Sequence, residues 1–201
     1  MESIKKSHIS TPIKQIMNPK IEFLKESIKN LKTVGTVTRS SKYVCKEMIS
    51  HVDFSKAKTI VEIGAGDGVI THHILDALQG DTQLVSFEVN EYFCEILGKI
   101  NHPNFHLVKD SAEEIEKYLT KFNLGKADYI VSAVPFVAFP DELALKIVEN
   151  CAKQLKPGGL FIQLHYSLLT KKLYEGVFGN VDVNFVAINL PPAFVLVSEK
   201  G

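Results

Sequence analysis

The sequence predicts an α/β fold built on a doubly wound, mostly parallel sheet, and two observations predict it. From Thr59 onward, short apolar runs alternate with helical segments, which is the pattern of parallel strands joined by crossover helices. The last two apolar runs are separated only by residues 189–193. So short a connection indicates an antiparallel hairpin at one edge of the sheet.

Five strands and four helices alternate in the central part of the chain. The predicted strands span Thr59–Ile63, residues 84–88, Phe105–Val108, residues 127–133 and residues 159–166, and the predicted helices span residues 69–78, 91–100, 112–121 and 141–155. Pro140 stands just before the last of these helices, a position where proline is tolerated. The closing hairpin takes residues 181–188 and 194–198, so the sheet has seven strands.

Residues 1–42 are predicted to form a basic helical arm and the start of a cap helix, ahead of a single domain over residues 43–201. Pro19 fits the first turn of a helix after Asn18, and Gly35 ends that helix. Its apolar stripe consists of Ile21, Leu24, Ile28 and Leu31. Ser40 or Ser41 can cap a second helix. The second helix carries Tyr43, Val44, Met48 and Ile49.

The composition is that of one globular domain with an uneven distribution of charge. The 201 residues are 45% hydrophobic and 23% charged, with no net charge, so no global field favours nucleic acid and DNA is not expected as a partner. Residues 1–42 contain eight Lys and one Arg against three Glu, a net of +6, and the remainder carries −6. This asymmetry indicates either an anionic partner for the N-terminus or a solvated basic arm.

The cysteines and histidines do not indicate a metal site. Cys45, Cys94 and Cys151 are far apart, and the seven histidines form no HExxH-type constellation. No apolar run approaches the roughly 20 residues needed to cross a bilayer, and the N-terminus lacks the apolar core of a signal peptide. We therefore expect a cytoplasmic protein with reduced thiols, which could still contact a membrane surface peripherally.

A glycine-rich loop joins the first strand to its helix, in the segment Glu62-Ile63-Gly64-Ala65-Gly66-Asp67-Gly68. Glycines allow a sharp turn and a close approach of a ligand, and the helix start offers N–H groups to an anionic group. A dinucleotide fingerprint requires a third glycine where Val69 stands. Glu62 would repel a pyrophosphate but could hold the ammonium group of an amino-acid ligand.

Two further acids follow the next two strands. Glu88 ends the second strand, where a carboxylate can accept both hydroxyls of a ribose. Asp110 follows the third strand, and there it can receive an adenine amine. Each feature is weak alone, because a short glycine turn or a helix-capping acid would look the same. Three of them at successive strand ends indicate a nucleoside site on the ligand-binding edge of the sheet.

These residues resemble the cofactor contacts of class I S-adenosylmethionine methyltransferases over roughly residues 36–200. The resemblance implies a Rossmann-like, seven-stranded sheet with an antiparallel C-terminal strand, and S-adenosyl-L-methionine as the cofactor. It implies cofactor contacts from Glu62, Gly64, Ala65, Gly66, Gly68, Glu88, Val89, Asp110, Ser111 and Ser132. The turn at residues 155–159, before the fifth strand, is also common in that family.

The segment after the fourth strand is Ser132-Ala133-Val134-Pro135-Phe136, where the acceptor motif is expected. Family members that methylate nucleic-acid bases carry Asn or Asp, then any residue, then Pro and an aromatic residue. The polar side chain and a backbone carbonyl accept the hydrogens of the target amine, and the aromatic ring stacks on the base. This chain has Ala133 at the polar position, which argues against methylation of a base.

A closer similarity is to the bacterial soluble-type phospholipid N-methyltransferases, which are related to ribosomal RNA adenine dimethylases. Four segments carry it in order: residues 34–41, residues 132–135, residues 163–166, and Asn189-Leu190-Pro191-Pro192-Ala193. The resemblance implies N-methylation of a phospholipid amine of the phosphatidylethanolamine type. Methylation of an RNA adenine or of a small-molecule amine is the alternative, and RNA is not excluded as a partner.

The expected acceptor site consists of Ser132, Pro135, Phe136 and Tyr166. Tyr166 follows the fifth strand, and Tyr43 lies near the cap helix, so either ring could steady a methylammonium product. Alternation along the strand puts His165 on the opposite face from Tyr166, which favours a structural role for this histidine over a catalytic base.

The N-terminal helix has two interpretations. In the phospholipid methyltransferases a basic amphipathic helix lies on the membrane, and here lysines accompany the apolar stripe at Lys14, Lys20, Lys25, Lys29 and Lys32. Alternatively the stripe docks on the domain. The third possibility for the whole chain, a silent domain that only binds a partner, is disfavoured by the intact cofactor motif.

Overall fold

The computed structural model describes residues 41–201, which form one mixed sheet with helices on both faces. The helices are α1 (Lys42–Ser50), α2 (Val69–Ala77), α3 (Glu91–Leu97), α4 (Ile115–Lys121), α5 (Asp141–Gln154) and α6 (Lys171–Phe178). The strands are β1 (Thr59–Ile63), β2 (Gln83–Phe87), β3 (Phe105–Val108), β4 (Ala127–Ser132), β5 (Leu155–His165), β6 (Asp182–Val186) and β7 (Ala193–Glu199).

The strand order is β3-β2-β1-β4-β5-β7-β6, with β7 antiparallel to both of its neighbours. All other pairs are parallel. The predicted doubly wound sheet with an antiparallel C-terminal strand is therefore confirmed. Because β7 inserts between β5 and β6, the carboxyl ends of all six parallel strands lie at one edge of the sheet, which we call the carboxyl edge.

Alternate residues of the strands supply two separate apolar cores. Val61, Phe87 and Ile130 face the side covered by α4, α5 and α6. Ile60, Val131 and Ile162 face the side covered by α1 and α2. We call these the α5 face and the α1 face. A strand buried on both sides is mostly apolar, and β1, in which only Thr59 and Glu62 are polar, is therefore recognisable in the sequence.

The cap helix begins as predicted. Ser41 is the N-cap of α1, and its hydroxyl accepts a hydrogen bond of 3.4 Å from the Val44 N–H. Val44 and Met48 are fully buried on the α1 face, while Tyr43 is exposed. The arm and its apolar stripe lie outside the described residues, so the two interpretations of the N-terminus stay open.

Helix α6 is absent from the sequence-based prediction. It has only eight residues, contains Gly176 and has no side-chain cap, so local signals are weak. Tertiary packing compensates, because Tyr174 is fully buried and its ring lies 5.8 Å from that of Phe161. Strand β5 also begins earlier than predicted, since it includes the turn at residues 156–159.

Candidate active site

Glu62 is the most unusual polar residue at the carboxyl edge, because its carboxylate is almost completely buried. Its Oε2 accepts hydrogen bonds from the Thr71 hydroxyl at 2.8 Å and the Ser86 hydroxyl at 2.5 Å. Its Oε1 is buried and has no hydrogen-bond partner among the described residues. Burial raises the pKa of Glu62 to about 7. A buried, unpaired oxygen of this kind is suited to receive the ammonium group of a ligand.

The glycine loop passes close over the sheet and then opens. Gly64 has φ +73° and lies so near the segment after β4 that a Cβ would stand 2.9 Å from Val134 Cγ2. The N–H groups of Gly64 and Ala65 both donate to the Phe87 carbonyl, at 2.9 and 3.2 Å. Gly66 has φ +57°, and a Cβ there would meet nothing nearer than 4.0 Å. The loop is therefore fixed at Gly64 and leaves room above Gly66.

Gly68 starts helix α2 in the left-handed region, with φ +83°. A Cβ at this position would lie 3.0 Å from the Leu97 side chain, so α2 packs closely against α3 here. Packing of the two helices therefore explains why glycine occupies position 68, in addition to the ligand contact that the family resemblance implies.

Glu88 lies at the end of β2 and holds the glycine loop in place. Its Oε2 accepts the Gly66 N–H at 2.8 Å. Its Oε1 accepts the N–H groups of Val89 and Asn90 at 2.8 and 2.7 Å. The carboxylate is nearly buried, at 5% exposure. Glu88 therefore joins the ends of β1 and β2, the strand ends between which the sequence predicts a ribose.

Asp110 and Ser111 turn the chain after β3. Asp110 Oδ1 accepts the Ser111 N–H at 2.8 Å, and Oδ2 accepts the Tyr118 hydroxyl at 2.9 Å. Lys117 Nζ lies 3.5 Å from the same Oδ2. The Ser111 hydroxyl accepts the Glu113 N–H at 3.2 Å and so caps the following turn. Asp110 is partly exposed at the carboxyl edge, as a residue that receives an adenine amine needs to be.

The segment after β4 is bound to β5 by a buried glutamine. Ser132 is fully buried, is paired in register with Gln163, and its hydroxyl accepts the Val134 N–H at 3.3 Å. Gln163 Nε2 donates to the Val134 carbonyl at 3.0 Å, and the Phe136 N–H donates to the same oxygen at 2.9 Å. The carbonyl that would accept a hydrogen of a base amine already has two donors.

Phe136, which is predicted as an acceptor-site residue, is buried in the core of the α5 face. It is 1% exposed and packs edge-on against Phe139 and Tyr174, with ring centroids 5.8 and 6.3 Å away. Pro135 initiates the turn that directs the ring into the core of the α5 face. Burial of the Phe136 ring in the core is favoured over exposure at the acceptor motif, because burial removes a large apolar surface from water.

Tyr166 and His165 point to opposite faces of β5, as alternation predicts. His165 is buried on the α5 face, where its Nε2 lies 2.6 Å from the Tyr174 hydroxyl and 3.2 Å from the Thr170 hydroxyl. Burial lowers the pKa of His165 to about 4, which supports a structural role. Tyr166 packs on the α1 face, and its buried hydroxyl has no hydrogen-bond partner in the described part of the chain.

The arrangement fits S-adenosyl-L-methionine. Glu62 offers a buried acceptor for an amino-acid ammonium group, the loop over Gly66 leaves room for a ligand, and Glu88 and Asp110 follow along the same edge. Thr71, Ser86 and Gln163 support this edge but were not predicted as site residues, because each makes its contact across the sheet or from a helix. Among residues 41–201 no group of acids, cysteines and histidines could hold a metal ion. No helix in that range is long and apolar enough to cross a membrane.

Residues 60–159 match the model of a family described as a methyltransferase domain. The matched range begins in β1 and ends in the turn within β5, so it contains the glycine loop, Glu88, Asp110 and the segment after β4.

Similar proteins extend this match over most of the chain. An ornithine lipid N-methyltransferase from Singulisphaera acidiphila is 28% identical over 174 residues, which cover 85% of this chain and 91% of the relative. An O-methyltransferase from Bacillus cereus, solved with S-adenosylhomocysteine, superposes with a TM-score of 0.63 at 16% identity and covers 92% of this chain and 94% of its own. The magnesium protoporphyrin IX methyltransferase from Synechocystis PCC 6803, solved with S-adenosylmethionine, gives 0.59 at 11% identity, covering 89% and 84%.

Proposed function

We propose that this chain, a class I S-adenosylmethionine-dependent methyltransferase, methylates the amine of a lipid head group, of the phosphatidylethanolamine type. The observation that carries the proposal is the similarity to an ornithine lipid N-methyltransferase along 85% of the chain. Ornithine, like ethanolamine, carries a primary amine, so both lipids present the same reacting group. We further propose a cytoplasmic enzyme that contacts the membrane peripherally.

The protein's part in the reaction is to position two reactants. The cofactor supplies a methyl group on a positively charged sulfur. The buried Oε1 of Glu62 would hold the amino-acid end of the cofactor, and Glu88 and Asp110 would hold its nucleoside end. Because transfer to an amine requires an in-line approach and little covalent work, positioning supplies most of the rate enhancement.

The acceptor is proposed to bind between the segment after β4 and Tyr166. The amine attacks as the neutral species, so it must lose a proton before transfer. His165 is a poor acceptor for that proton, because it lies on the opposite face of β5 and is hydrogen-bonded to Tyr174. The Tyr166 ring lies on the same face of the sheet as Glu62. Glu62 pairs in register with Val131, which pairs with Ile162, and Tyr166 follows Ile162 by an even number of residues along β5. Its aromatic face could steady the methylammonium product.

The structure gives less support to an RNA base as acceptor. Ala133 lacks the polar side chain, the Val134 carbonyl already accepts two hydrogen bonds, and Phe136 is buried. Each of the three contacts that a flipped base would need is therefore absent or engaged.

The test is a methyl-transfer assay with radiolabelled S-adenosylmethionine and the full chain. Parallel reactions contain anionic vesicles with phosphatidylethanolamine, the same vesicles with an ornithine lipid, vesicles with neither lipid, ribosomal RNA, and small amines. We expect label in one amine lipid and none in vesicles without it, and Glu62→Gln should abolish most of that label. Label confined to RNA or to a small amine would overturn the lipid acceptor and leave the methyltransferase activity intact.

A further inference from the structure

Two loops at the carboxyl edge expose large aliphatic side chains. The loop after β5 exposes Leu168 and Leu169, at 40% and 80%. The loop after β6 exposes Ile188 and Leu190, at 72% and 88%. We call these four residues the apolar rim. Single exposed apolar residues are ordinary, but four in two neighbouring loops form a patch that calls for a partner.

The two loops leave the sheet side by side. In the register, His165 at the end of β5 pairs with Phe194, and Phe194 pairs with Phe185 near the end of β6. The ends of β5 and β6 are therefore two strand spacings apart, roughly 10 Å. Both strands run parallel to β4, so the apolar rim lies at the same edge as Ser132 and next to Tyr166.

Both loops turn polar side chains inward and apolar ones outward. Asn189 is 4% exposed and its Nδ2 donates to the Pro191 carbonyl, while Ile188 and Leu190 on either side are 72% and 88% exposed. Thr170 likewise hydrogen-bonds to buried His165, next to exposed Leu169. An aqueous environment favours the reverse arrangement, so the loops are built for an apolar one.

The charges around the rim fit a lipid surface. Residues 183–198 contain no Asp, Glu, Lys or Arg, and Lys171, which pairs with Glu175, and Lys172 directly follow the loop after β5. Aliphatic residues that penetrate between lipid head groups, with lysines beside them, are the composition of an interfacial membrane contact. A surface that binds a protein partner would instead be expected to have hydrogen-bonding groups or charges around its periphery.

Helix α1, which follows the basic arm in sequence, lies on the same face of the sheet as Tyr166. Helix α1 packs on β5, β7 and β6, and after it Asp53 N–H donates to the Tyr129 hydroxyl at the start of β4. The end of α1 is therefore near the amino edge of the sheet. A nine-residue helix is about 13 Å long, so Ser41, where residues 1–40 attach, lies about that far from the end of α1, above the face of the sheet that carries Tyr166.

We propose that the apolar rim inserts into the surface of a lipid bilayer and so turns the carboxyl edge toward the membrane that holds the acceptor. The choice of a bilayer rests on the proposed lipid acceptor. The arm would attract the protein by charge, and the rim would set its orientation, so that a head-group amine enters beside Tyr166.

Vesicle sedimentation of the full chain tests the rim without any acceptor lipid. The vesicles contain phosphatidylglycerol and phosphatidylcholine only. The variant carries Leu169→Ser, Ile188→Ser and Leu190→Ser, and the matched control carries Leu145→Ser, an exposed leucine of helix α5. We expect the rim variant to bind vesicles at least about tenfold more weakly and the control to bind like the wild type. The lost binding should be the part that persists at high salt.

Two results would overturn the proposal. The first is equal binding of the rim variant and the wild type at every salt concentration. The second is a wild-type dimer in sedimentation velocity that the rim variant loses while its vesicle binding is unchanged, because the rim would then bind a second copy. Unchanged thermal unfolding and unchanged S-adenosylhomocysteine affinity establish that the variant is folded.

A second measurement separates this inference from the proposed function. Methyl transfer is compared between an acceptor in vesicles and the same head group on a short-chain lipid in free solution. The rim variant should lose turnover on vesicles and retain it on the soluble acceptor. If the wild type methylates neither, the lipid acceptor is wrong, and the sedimentation result still decides whether the rim binds a bilayer.

Discussion

At the scale of single residues, Glu62 places a carboxylate where burial opposes its charge. Thr71 and Ser86 satisfy one oxygen, and the other is buried without a partner in the described chain. Burial raises the pKa of Glu62 to about 7, well above the ordinary range for a glutamate. A cationic ligand beside Oε1 would reverse this effect, so we expect cofactor binding to release a proton from Glu62.

The affinity for S-adenosylhomocysteine should rise as pH rises through 7. Below that pH, Glu62 holds a proton that it must release before it can bind an ammonium group, so apparent affinity should fall about tenfold from pH 8 to pH 6. Calorimetry in two buffers of different ionisation enthalpy measures both the affinity and the released proton. Glu62→Gln should bind weakly and without this pH dependence, and a flat profile in the wild type would contradict the assignment.

The same substitution should stabilise the protein without ligand. The pKa of Glu62 is higher in the folded protein than in the unfolded chain. The contribution of this residue to the free energy of unfolding is therefore most favourable below about pH 4.5, and it is lost as pH rises through about 7. Glu62→Gln removes the buried charge and keeps an oxygen for Thr71 and Ser86. We expect it to raise the free energy of unfolding by about 1–3 kcal/mol at pH 8 and to change it little at pH 5. Urea unfolding at both pH values measures the difference.

Glu88 is predicted to bind the ribose and also to hold the glycine loop. Glu88→Ala removes the predicted acceptor of the ribose hydroxyls, so we expect about 1–3 kcal/mol of lost cofactor binding; it also removes the acceptor of three backbone N–H groups, so we expect a loss of stability of at least similar size. The fold should survive, because these groups lie at the ends of strands. Calorimetry and thermal unfolding are run beside Glu95→Ala, an exposed acid on the neighbouring helix. Unchanged affinity in Glu88→Ala would show that the ribose is held elsewhere.

Tyr166 allows catalysis to be separated from stability. Its hydroxyl is buried and has no partner among residues 41–201, so Tyr166→Phe should leave the fold unchanged or slightly more stable. We expect turnover to fall more than cofactor affinity in both variants, slightly in Tyr166→Phe, which keeps an aromatic face, and strongly in Tyr166→Ala, which loses it. Steady-state kinetics with the labelled acceptor measure both. If both variants turn over like the wild type, Tyr166 does not belong to the acceptor site.

At the scale of elements, two glycines of the loop between β1 and α2 are needed for different reasons, one for close packing and one for ligand access. Both Gly64 and Gly66 have positive φ, but only Gly64 lies against a neighbouring segment, the one that contains Val134. The cost of a side chain should therefore be structural at Gly64 and functional at Gly66.

Matched alanine substitutions test this distinction. Gly64→Ala adds a contact of 2.9 Å to the strain of its φ, so we expect a loss of about 2–4 kcal/mol of stability. Gly66→Ala should lower stability only through the strain of its φ, by roughly 1 kcal/mol, but the added methyl group narrows the space where a ligand approaches. Chemical unfolding and calorimetry should show Gly64→Ala as the less stable variant and Gly66→Ala as a folded protein with weakened cofactor binding. Equal stability of the two variants would contradict the close approach at Gly64.

At the scale of the whole molecule, the arm and the domain carry opposite charge. Residues 1–42 have a net charge of +6 and the rest has −6, so the net attraction of the protein to an anionic surface comes from the arm. Attraction of this kind decays over about 8 Å at physiological ionic strength, so salt should weaken it.

Charge reversal in the arm tests this attraction. Changing Lys20, Lys25, Lys29 and Lys32 to Glu should release the protein from anionic vesicles and leave cofactor affinity unchanged, because these residues are remote in sequence from the cofactor loop. Vesicle sedimentation measures the release, and neutral vesicles should bind the wild type poorly. If the arm docks on the domain instead, deleting it should lower the unfolding temperature and lipid should make no difference.

The alternation of buried strands and amphipathic helices was enough to predict the doubly wound sheet, because both periodicities are local. The positions of Glu62, Glu88 and Asp110 were equally predictable, since the carboxyl ends of parallel strands must share one edge. The family match over residues 60–159 confirms the methyltransferase that these motifs indicated.

Only the tertiary structure decided which side chains of that edge are free to act. Phe136 is buried because α5 and α6 cover it, and α6 is stabilised by the burial of Tyr174 in the same core. Gln163 donates a hydrogen bond to the Val134 carbonyl from the neighbouring strand. The outward leucines and isoleucine of the rim are likewise invisible in the sequence, where they look like ordinary core residues. Each of these outcomes depends on contacts between segments far apart in the chain, and no local pattern encodes such contacts.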